Sequence, residues 1–337
     1  MTNILLIGAI NENHKPLGGE EYKNQLILKK IKCTPHIQFE YVDTYRWKYK
    51  PIIIWSLFAK VFSGRFDTIL ISASSVSTYR FLQLVGFLRM NQLVKVTYLV
   101  IGGYFPEGIK LKRFNWKYYN SLKSIIVEGA ILKNTLEINS GLTNVKVLPN
   151  FKEFQEVVLP RSNSDNDLFK FVFVGRISES KGVQLILDAV QILNKQDIQV
   201  DFYGPQEDEF DFNHPQVFYK GYLDFISKPH ESYDILKEYD CMLFPTFWKG
   251  EGFPGVIIDA FVAGLPVIAS DWNMNAEVVV DGENGFVIKA NCVDALVDKM
   301  KYALMNKNQL IEIGKNNQLK AKNYHIDRIW PQLLNLL

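Results

Sequence analysis

The stretch FKFVFVGRISESKGVQLILDAVQIL, residues 169–193, decides the fold class of this chain. Its first six residues are almost all apolar, a turn rich in glycine and serine follows, and the remainder repeats apolar residues at helical spacing. A strand that is apolar on both faces and runs straight into a helix is typical of a parallel sheet covered by helices on both sides. The stretch therefore predicts one strand–turn–helix unit of an α/β fold.

The same alternation extends along most of the 337 residues. In the first half, the predicted strands are Ile4–Ala9, Ile37–Val42, Thr68–Ser72, Val94–Ile101, Ser124–Val127 and Val145–Leu148, and the helical repeats are Glu20–Ile31 and Thr78–Met90. In the second half, the predicted strands are Phe169–Val174, Ile198–Tyr203, Cys241–Phe244 and Pro266–Ala269, and the helices are Gly182–Leu193, Asp234–Tyr239, Gly255–Ala263 and Val293–Met305.

These elements predict two doubly wound, Rossmann-like α/β domains in tandem. The domains cover residues 1–160 and 168–322, and the polar, non-periodic segment 161–167 separates them. Open sheets of this kind bind ligands beyond the carboxyl ends of their strands. We therefore expect the functional site in a cleft that the two domains face.

The charge of the chain is unevenly distributed. Lys and Arg number 38 and Asp and Glu number 36, and the resulting formal net charge of +2 excludes a uniformly basic nucleic-acid binder. Residues 1–164, however, hold 22 basic and 11 acidic side chains, whereas residues 165–337 hold 16 and 25. This asymmetry favours a negatively charged surface as a partner of the first half.

The cysteines and the apolar segments indicate the compartment. Cys33, Cys241 and Cys292 are too few and too scattered for a disulfide framework or a zinc site. The first ten residues lack the basic region of a signal peptide and are predicted to form a buried strand. The longest charge-free apolar stretches fall short of the roughly 20 residues of a membrane span. We therefore expect a cytoplasmic protein, soluble or peripheral to the membrane.

The turn after Phe169–Val174 is a candidate anion site. It contains Arg176 and Lys181, and its glycines, Gly175 and Gly182, precede the N terminus of a helix. Free backbone N–H groups and the helix dipole attract an anion there, while a guanidinium makes a forked contact and an ammonium a point-charge contact. A solvent-exposed loop with two surface cations explains the local pattern equally well.

A second candidate site follows the predicted strand Cys241–Phe244. Its loop is dense in glycine and proline, with Glu251 just before the next helix and Asp259 inside that helix. A carboxylate among apolar residues is costly to bury unless it is hydrogen-bonded, and sugar hydroxyls are suitable partners. The glycine density favours this interpretation over a loop charge and an exposed helix residue. The literal G-x-G-x-x-G at 250–255 is not a dinucleotide-binding fingerprint, since that motif has its first glycine directly after the strand.

These segments resemble the donor domain of retaining glycosyltransferases of family four, which are of the group 1 type and have the two-domain GT-B fold. The resemblance rests on VGRISESKG at 174–182, EGFPGVIIDAFVAGLPVIAS at 251–270 and GENGF at 282–286. In the first half, Gly18-Gly19-Glu20 resembles the glycine-rich first loop of the family. The resemblance also implies that the last helix, about 323–337, packs back on the first domain.

The resemblance implies site residues on both domains. The implied catalytic residues, which neutralise the donor diphosphate and contact the transferred sugar, are Arg176, Lys181 and Glu251. The residues implied to bind the rest of the nucleotide sugar are Gly175, Gly252, Phe253, Pro254, Gly255 and Asp259, the last at the ribose. Those implied on the acceptor side are Gly18, Gly19 and His14. The family needs no metal, and no other cofactor is implied.

Two departures from the family pattern bear on activity. Asp259 stands where the family has a glutamate, and VIGGYFP at 100–106 lacks the histidine that many relatives have after the fourth strand. His14 is the candidate substitute, although an ordinary loop histidine is the simpler interpretation. A protein base is not obligatory, because the departing diphosphate can itself accept the proton of the acceptor hydroxyl.

Two segments of the first half interleave cations with aromatic residues. One is 41–65, which contains YRWKYK at 45–50, and the other is 110–123. This composition suits binding to an anionic membrane surface, although a core-facing helix with a basic rim is the alternative for the first segment. We expect no nucleic-acid partner, because the sequence contains no recognised nucleic-acid module.

Together these features predict a retaining glycosyltransferase of the EC 2.4 class that acts in surface polysaccharide or glycolipid synthesis. Its expected partners are a nucleotide-diphosphate sugar, a glycan or lipid-linked acceptor and the inner face of the cell membrane. Two alternatives stay open, a catalytically silent nucleotide-sugar-binding subunit and a sugar-nucleotide epimerase with the same two-domain architecture.

Overall fold

The computed structural model describes residues 2–16, 18–50, 52–88, 90–155, 168–194 and 197–337. The chain divides into two compact units. Unit 1 comprises Met1–Glu153 together with Ile326–Leu337, and unit 2 comprises Phe154–His325. The division at Glu153 comes earlier than the predicted domain end at 160, and the predicted linker 161–167 lies outside the described residues.

Unit 1 is built on a parallel sheet of six strands. The strands are β1 (Thr2–Gly8), β2 (Ile37–Asp43), β3 (Thr68–Ala73), β4 (Val96–Val100), β5 (Ser124–Val127) and β6 (Val145–Val147), in the order β2-β1-β3-β4-β5-β6. The helices are α1 (Gly19–Cys33), α2 (Ile52–Phe62), α3 (Ser75–Leu88), α4 (Tyr104–Lys110), α5 (Trp116–Asn120), α6 (Ala130–Ser140) and, from the end of the chain, α13 (Ile326–Leu336).

Unit 2 repeats this plan. Its strands are β7 (Phe169–Val174), β8 (Ile198–Tyr203), β9 (Val217–Tyr219), β10 (Cys241–Phe244), β11 (Val267–Ser270) and β12 (Gly285–Ile288), in the order β12-β11-β10-β7-β8-β9. Its helices are α7 (Val183–Leu193), α8 (Pro229–Leu236), α9 (Gly255–Val262), α10 (Asn275–Val278), α11 (Val293–Met305) and α12 (Lys307–Ala321).

Each sheet reverses the direction of its strand order at one point. In unit 1 the reversal lies between β1 and β3, because β2 pairs with the other edge of β1. In unit 2 it lies between β7 and β10, because β8 pairs with the other edge of β7. The crevice at such a switch point is where doubly wound sheets bind ligands. The predicted fold class, two doubly wound Rossmann-like units, is confirmed.

The core of unit 2 explains why β7 is apolar on both faces. Phe171 and Phe173 are buried in one apolar cluster with residues of α7 and α11. Val172 and Val174 point to the opposite face and are buried in a second cluster with residues of α8 and α9. The strand is therefore covered on both sides, and the hydrophobic effect fixes it at the centre of the sheet.

Helix α13 completes the core of unit 1. Its buried residues Ile329, Trp330 and Leu333 belong to the same apolar cluster as residues of β1 and α1. The Trp330 indole Nε1 donates a hydrogen bond to Thr34 Oγ1 at 2.9 Å, next to the end of α1. An aromatic side chain that buries its ring and satisfies its N–H holds this helix in place.

Two predicted elements need correction, and two observed strands were not predicted. Strand β4 begins at Val96 rather than Val94, because Met90–Lys95 forms a 3₁₀ helix. Helix α8 is Pro229–Leu236 rather than Asp234–Tyr239; Pro229 occupies its first turn, where a missing N–H costs nothing. Strand β9, of three residues, and strand β12, of four, were not predicted.

Candidate active site

The turn after β7 carries the first two predicted site residues, Arg176 and Lys181. Lys181 ends a single 3₁₀ turn, and Gly182 follows with φ of 80°. A Cβ at position 182 would lie 2.4 Å from the carbonyl oxygen of Pro245, which follows β10. Both the positive φ and the close approach require glycine. The turn after β7 therefore packs directly against the loop after β10, across the switch point.

Lys181 and Glu251 form a buried ion pair at this contact. Lys181 Nζ donates to Glu251 Oε2, and the two residues are only 7% and 6% exposed. Thr246 Oγ1 donates to the same Oε2 at 3.1 Å. Burial lowers the pKa of Lys181, and the adjacent Glu251 opposes that shift. The interpretation of Glu251 as a mere loop charge is wrong, because the carboxylate is enclosed and bound to a cation.

Trp248 contacts both cations of the site. The Arg176 guanidinium lies 4.5 Å and Lys181 Nζ lies 4.7 Å from the centroid of its ring. The ring covers Gly250, where a Cβ would come within 2.5 Å of an indole carbon. Cation–π contacts of this kind are worth about 0.5–2 kcal/mol, depending on exposure. Trp248 thus holds two like charges beside the same loop, and Arg176 in turn lowers the pKa of Lys181.

Arg176 is the more accessible of the two cations. Its Nη1 lies 3.3 Å from Glu207 Oε1, and the side chains are 39% and 46% exposed. The loop that carries Glu207 is fixed to the turn after β7, because Ile177 N donates to Pro205 O at 2.8 Å and Glu207 N donates to Ile177 O at 3.0 Å. An exposed pair of this kind contributes about 0–1 kcal/mol, so a stronger anion can replace Glu207.

The glycine-rich loop before α9 is packed rather than open. Gly252, Phe253 and Pro254 are buried, and Gly255 begins the helix. The Phe253 ring packs against Tyr324 at 5.2 Å between centroids, so this side chain belongs to the core of unit 2. Asn273 Nδ2 donates to the carbonyl oxygen of Glu251 at 3.0 Å. The loop is therefore held rigid around the Glu251 carboxylate.

Asp259 is buried within α9 and bonded to α8. It is 1% exposed, so the alternative of an exposed helix residue is wrong. The Tyr233 hydroxyl donates to Asp259 Oδ1 at 2.9 Å. The structure thus groups Lys181 and Glu251, with Arg176 beside them, and gives Asp259 a separate partner on α8.

The predicted acceptor-side residues lie in unit 1, around the start of α1. Gly18 caps the helix, Gly19 is its first residue, and a Cβ at either position would meet no atom within 4 Å. His14 is exposed in the loop after β1. Packing does not require glycine at 18 or 19, and no contact of the His14 ring distinguishes it from an ordinary loop histidine in the described chain.

Sequence reasoning missed three contributors to the site in unit 2. Thr246 follows β10 by two residues, and this position beside a strand end was the signal available for it. Glu207 and Tyr233 carry no local signal, because they reach the site only through the pairing of β7 with β8 and the packing of α8 on α9. No helix among the described residues combines the length and apolarity that a membrane span requires.

Comparison with known proteins finds a family similarity within unit 2. Residues 155–320 match the family described as glycosyl transferases group 1. The capsular polysaccharide biosynthesis glycosyltransferase CapM of Staphylococcus aureus is 27% identical over 180 residues, which are 50% of this chain and 45% of CapM. The chain thus aligns with less than half the length of this relative.

Two solved structures share the fold of the entire chain. Sucrose-phosphate synthase of Thermosynechococcus elongatus superposes with a TM-score of 0.75 at 16% identity, covering 100% of this chain and 98% of that one. HepE of Anabaena, in complex with UDP, superposes with a TM-score of 0.70 at 15% identity, covering 99% of each chain. These similarities confirm the GT-B type of fold. The similarity to glycosyl transferases group 1 covers residues 155–320, just under half of the chain.

Proposed function

We propose that this protein is a retaining glycosyltransferase, of EC class 2.4, that moves a sugar from a nucleoside-diphosphate sugar to a glycan or lipid-linked acceptor. The observation that carries the proposal is the group of Arg176, Lys181 and Glu251 at the β7/β10 switch point, inside the group 1 match. The name of CapM supports a role in surface polysaccharide or glycolipid synthesis, and the UDP in HepE supports a nucleoside-diphosphate donor.

Arg176 and Lys181 are assigned to the diphosphate of the donor. During transfer the bond between the anomeric carbon and the diphosphate oxygen breaks, and negative charge accumulates on the departing group. Cations that are fixed in advance stabilise this charge effectively, because they need no reorganisation during the reaction. Arg176 can exchange its exposed contact with Glu207 for two phosphate oxygens, while Lys181 adds a buried charge.

Glu251 is assigned to the transferred sugar. Its Oε2 atom accepts hydrogen bonds from both Lys181 and Thr246, so Oε1 is the oxygen assigned to a sugar hydroxyl. A carboxylate accepts several hydrogen bonds at once, and the Lys181 ammonium offsets the cost of burying a negative charge at Glu251. Glu251 therefore couples the position of the sugar to the cation that neutralises the leaving group.

Asp259 and Tyr233 are assigned together to the ribose of the donor. Asp259 is one methylene shorter than the glutamate of related enzymes, and the Tyr233 hydroxyl bonded to Oδ1 extends its reach. The backbone of Gly175 and of Gly252–Gly255 is assigned to the phosphates and sugar. The acceptor oxygen bonds to the anomeric carbon on the face from which the diphosphate departs, and the diphosphate accepts the proton of that hydroxyl. Attack on the same face retains the anomeric configuration, and the step needs no metal or other cofactor.

Release of nucleoside diphosphate tests this proposal. Wild-type protein is incubated with UDP-, GDP- and ADP-sugars, with and without simple glycoside acceptors, and released diphosphate is measured together with the anomer of the product. We expect release that an acceptor stimulates, and we expect Arg176→Ala to lower the rate about ten- to a hundred-fold, the equivalent of about 1.5–3 kcal/mol for a charged hydrogen bond. Lys228→Ala, which removes an exposed cation directly before α8, is the matched control.

Other results would point to other functions. Binding of a nucleotide sugar without release, whatever acceptor is offered, indicates a silent binding subunit. Conversion of the nucleotide sugar to its isomer indicates an epimerase. Equal rates for Arg176→Ala and wild type contradict the assignment of the diphosphate to this site.

We further propose that unit 1 binds the anionic inner face of the cell membrane. Helix α2 has one buried residue among those described, Val61, and its first turn is largely exposed. Tyr49, Ile52 and Trp55 are 83%, 75% and 77% exposed, and they adjoin the cations of the 45–50 run. Exposed aromatic and aliphatic side chains beside cations combine insertion at the interface with attraction to anionic headgroups.

Vesicle sedimentation at low and high salt tests the membrane contact. We expect binding to vesicles of phosphatidylcholine with anionic phosphatidylglycerol at low salt, weakening as salt rises, because each surface cation contributes about 1 kcal/mol that salt screens. Trp55→Ser should weaken binding, whereas Ile138→Ser, at an apolar position of α6 that is 83% exposed, should not. Absence of binding at every salt concentration contradicts the proposal.

A further inference from the structure

The switch point of unit 1, between β1 and β3, holds a carboxylate that the proposed reaction does not yet use. Glu20 lies in the first turn of α1 and is partly buried. The backbone N–H groups of Ala9, directly after β1, and Ser74, directly after β3, lie close enough to its carboxylate to lower its pKa. It therefore sits at the one place in this sheet where a doubly wound fold opens a crevice for a ligand.

The backbone around Glu20 is tightly fixed. Asn24, one helical turn further along α1, donates through Nδ2 to the carbonyl oxygens of Ala9 at 3.0 Å and Ser72 at 2.9 Å. A Cβ at Gly8 would lie 2.4 Å from Ser72 O and 2.6 Å from Asn24 Nδ2, so glycine is required for this close approach. Asn24 therefore links the ends of β1 and β3 by its own hydrogen bonds, and this link does not depend on Glu20.

The hydrogen-bonding capacity of Glu20 exceeds what the two backbone groups use. An ionised carboxylate offers about four acceptor sites, and a sugar hydroxyl is a suitable further donor. Lys23, the neighbouring cation on α1, is buried in an ion pair with Glu128, which directly follows β5. The Lys23 ammonium is therefore paired with the Glu128 carboxylate at the same sheet edge rather than with Glu20.

We propose that the Glu20 carboxylate binds a hydroxyl group of the acceptor sugar and orients it for transfer, an inference that rests on the proposed function. Glu20 takes this role in preference to the exposed His14, because the ends of both switch-point strands lie beside Glu20.

If Glu20 binds the acceptor, its ionisation should make acceptor binding depend on pH. Burial raises the pKa of Glu20 to about 7, against the two backbone hydrogen bonds that lower it. The titratable groups that act on it are Glu21 on its own helix and Tyr98 on β4, while Lys23 is paired with Glu128. A hydroxyl donates to the ionised form, so acceptor binding should strengthen as the pH rises from 6 to 8.

Glu20→Gln tests this inference by comparison with wild type across that pH range. The probes are p-nitrophenyl glycosides of glucose, galactose and N-acetylglucosamine, used as acceptors and, without donor, as ligands in calorimetry. We expect kcat/KM for the acceptor to fall about ten- to a hundred-fold at pH 8 and much less at pH 6. Release of nucleoside diphosphate without acceptor should stay within about twofold of wild type, because the donor binds unit 2.

Two further variants separate binding from a structural role. Asn24→Ala removes the hydrogen bonds from Asn24 to the ends of β1 and β3. It should lower Tm, but acceptor kcat/KM should still increase with pH. Glu20→Asp keeps a carboxylate, so it should retain that rise at weaker affinity, and it covers the case in which Glu20→Gln does not fold.

The outcomes distinguish this inference from the proposed function. Equal pH profiles of acceptor kcat/KM for wild type and Glu20→Gln overturn the inference. Loss of the pH-dependent increase in Asn24→Ala overturns it too. Diphosphate release without use or binding of any glycoside also overturns it. Failure of wild type to release diphosphate from any donor overturns the proposed function, and calorimetry with the glycosides then still decides whether Glu20 binds a sugar hydroxyl.

Discussion

The carboxyl edges of the two sheets are built alike but present different chemistry. At the β7/β10 edge of unit 2, Arg176 and Lys181 both contact the Trp248 ring, and the Glu251 carboxylate is paired with Lys181. At the β1/β3 edge of unit 1, the Glu20 carboxylate lies beside the backbone N–H groups of Ala9 and Ser74. The topology thus decides where a ligand binds, and the side chains at the strand ends decide whether that ligand is an anion or a hydroxyl donor.

At each sheet edge, the side chains have the opposite charge to the net charge of that half of the chain. The first half has twice as many basic as acidic residues, yet the edge of its sheet presents Glu20. The second half is acidic overall, yet the edge of its sheet presents Arg176 and Lys181. Net charge therefore describes the outer surface and its long-range partners, whereas the site is set by a few fixed groups.

The largest effect is expected from a variant that breaks the Lys181–Glu251 ion pair at the unit 2 edge. Lys181→Met keeps the volume of the side chain but leaves the buried Glu251 carboxylate without its cation. Removal of one partner of a buried ion pair costs about 3–5 kcal/mol of unfolding free energy, and diphosphate release should fall at least about a hundredfold. Urea denaturation and the release assay measure the two effects.

A double variant sharpens this prediction. Lys181→Met with Glu251→Gln removes both charges, so it should recover most of the lost stability while remaining inactive. Recovery of activity in the double variant would show that the pair is structural only. Unchanged stability in Lys181→Met alone would mean that Glu251 is not buried as the structure has it.

Local patterns predicted most of the fold, because each strand of a covered parallel sheet is a short apolar run. Strands such as Ser124–Val127, Phe169–Val174 and Cys241–Phe244 were placed at their observed bounds. The strands β9 and β12 were missed; both are short edge strands of the unit 2 sheet, and each pairs with a single neighbouring strand. Helix α8 was misplaced because its apolar repeat is weak and its start depends on Pro229.

The site was only partly predictable for a related reason. Arg176, Lys181 and Glu251 could be singled out because each lies in a glycine-containing loop next to a predicted strand. Their mutual arrangement depends on the contact of Gly182 with Pro245 and on the placement of Trp248, which are tertiary. Glu20 was visible only as part of a loop motif, since its link to Ser74 requires the pairing of β1 with β3.

Binding of nucleoside diphosphate tests the division of roles between the two edges most directly. UDP and GDP are titrated by calorimetry into wild type, Arg176→Ala and Glu20→Gln at fixed salt and pH. Arg176→Ala should raise the Kd of the diphosphate about tenfold, the loss of one charged hydrogen bond, and Glu20→Gln should leave it unchanged. Weaker diphosphate binding in Glu20→Gln, or an unchanged Kd in Arg176→Ala, would contradict the assignment of the diphosphate to unit 2.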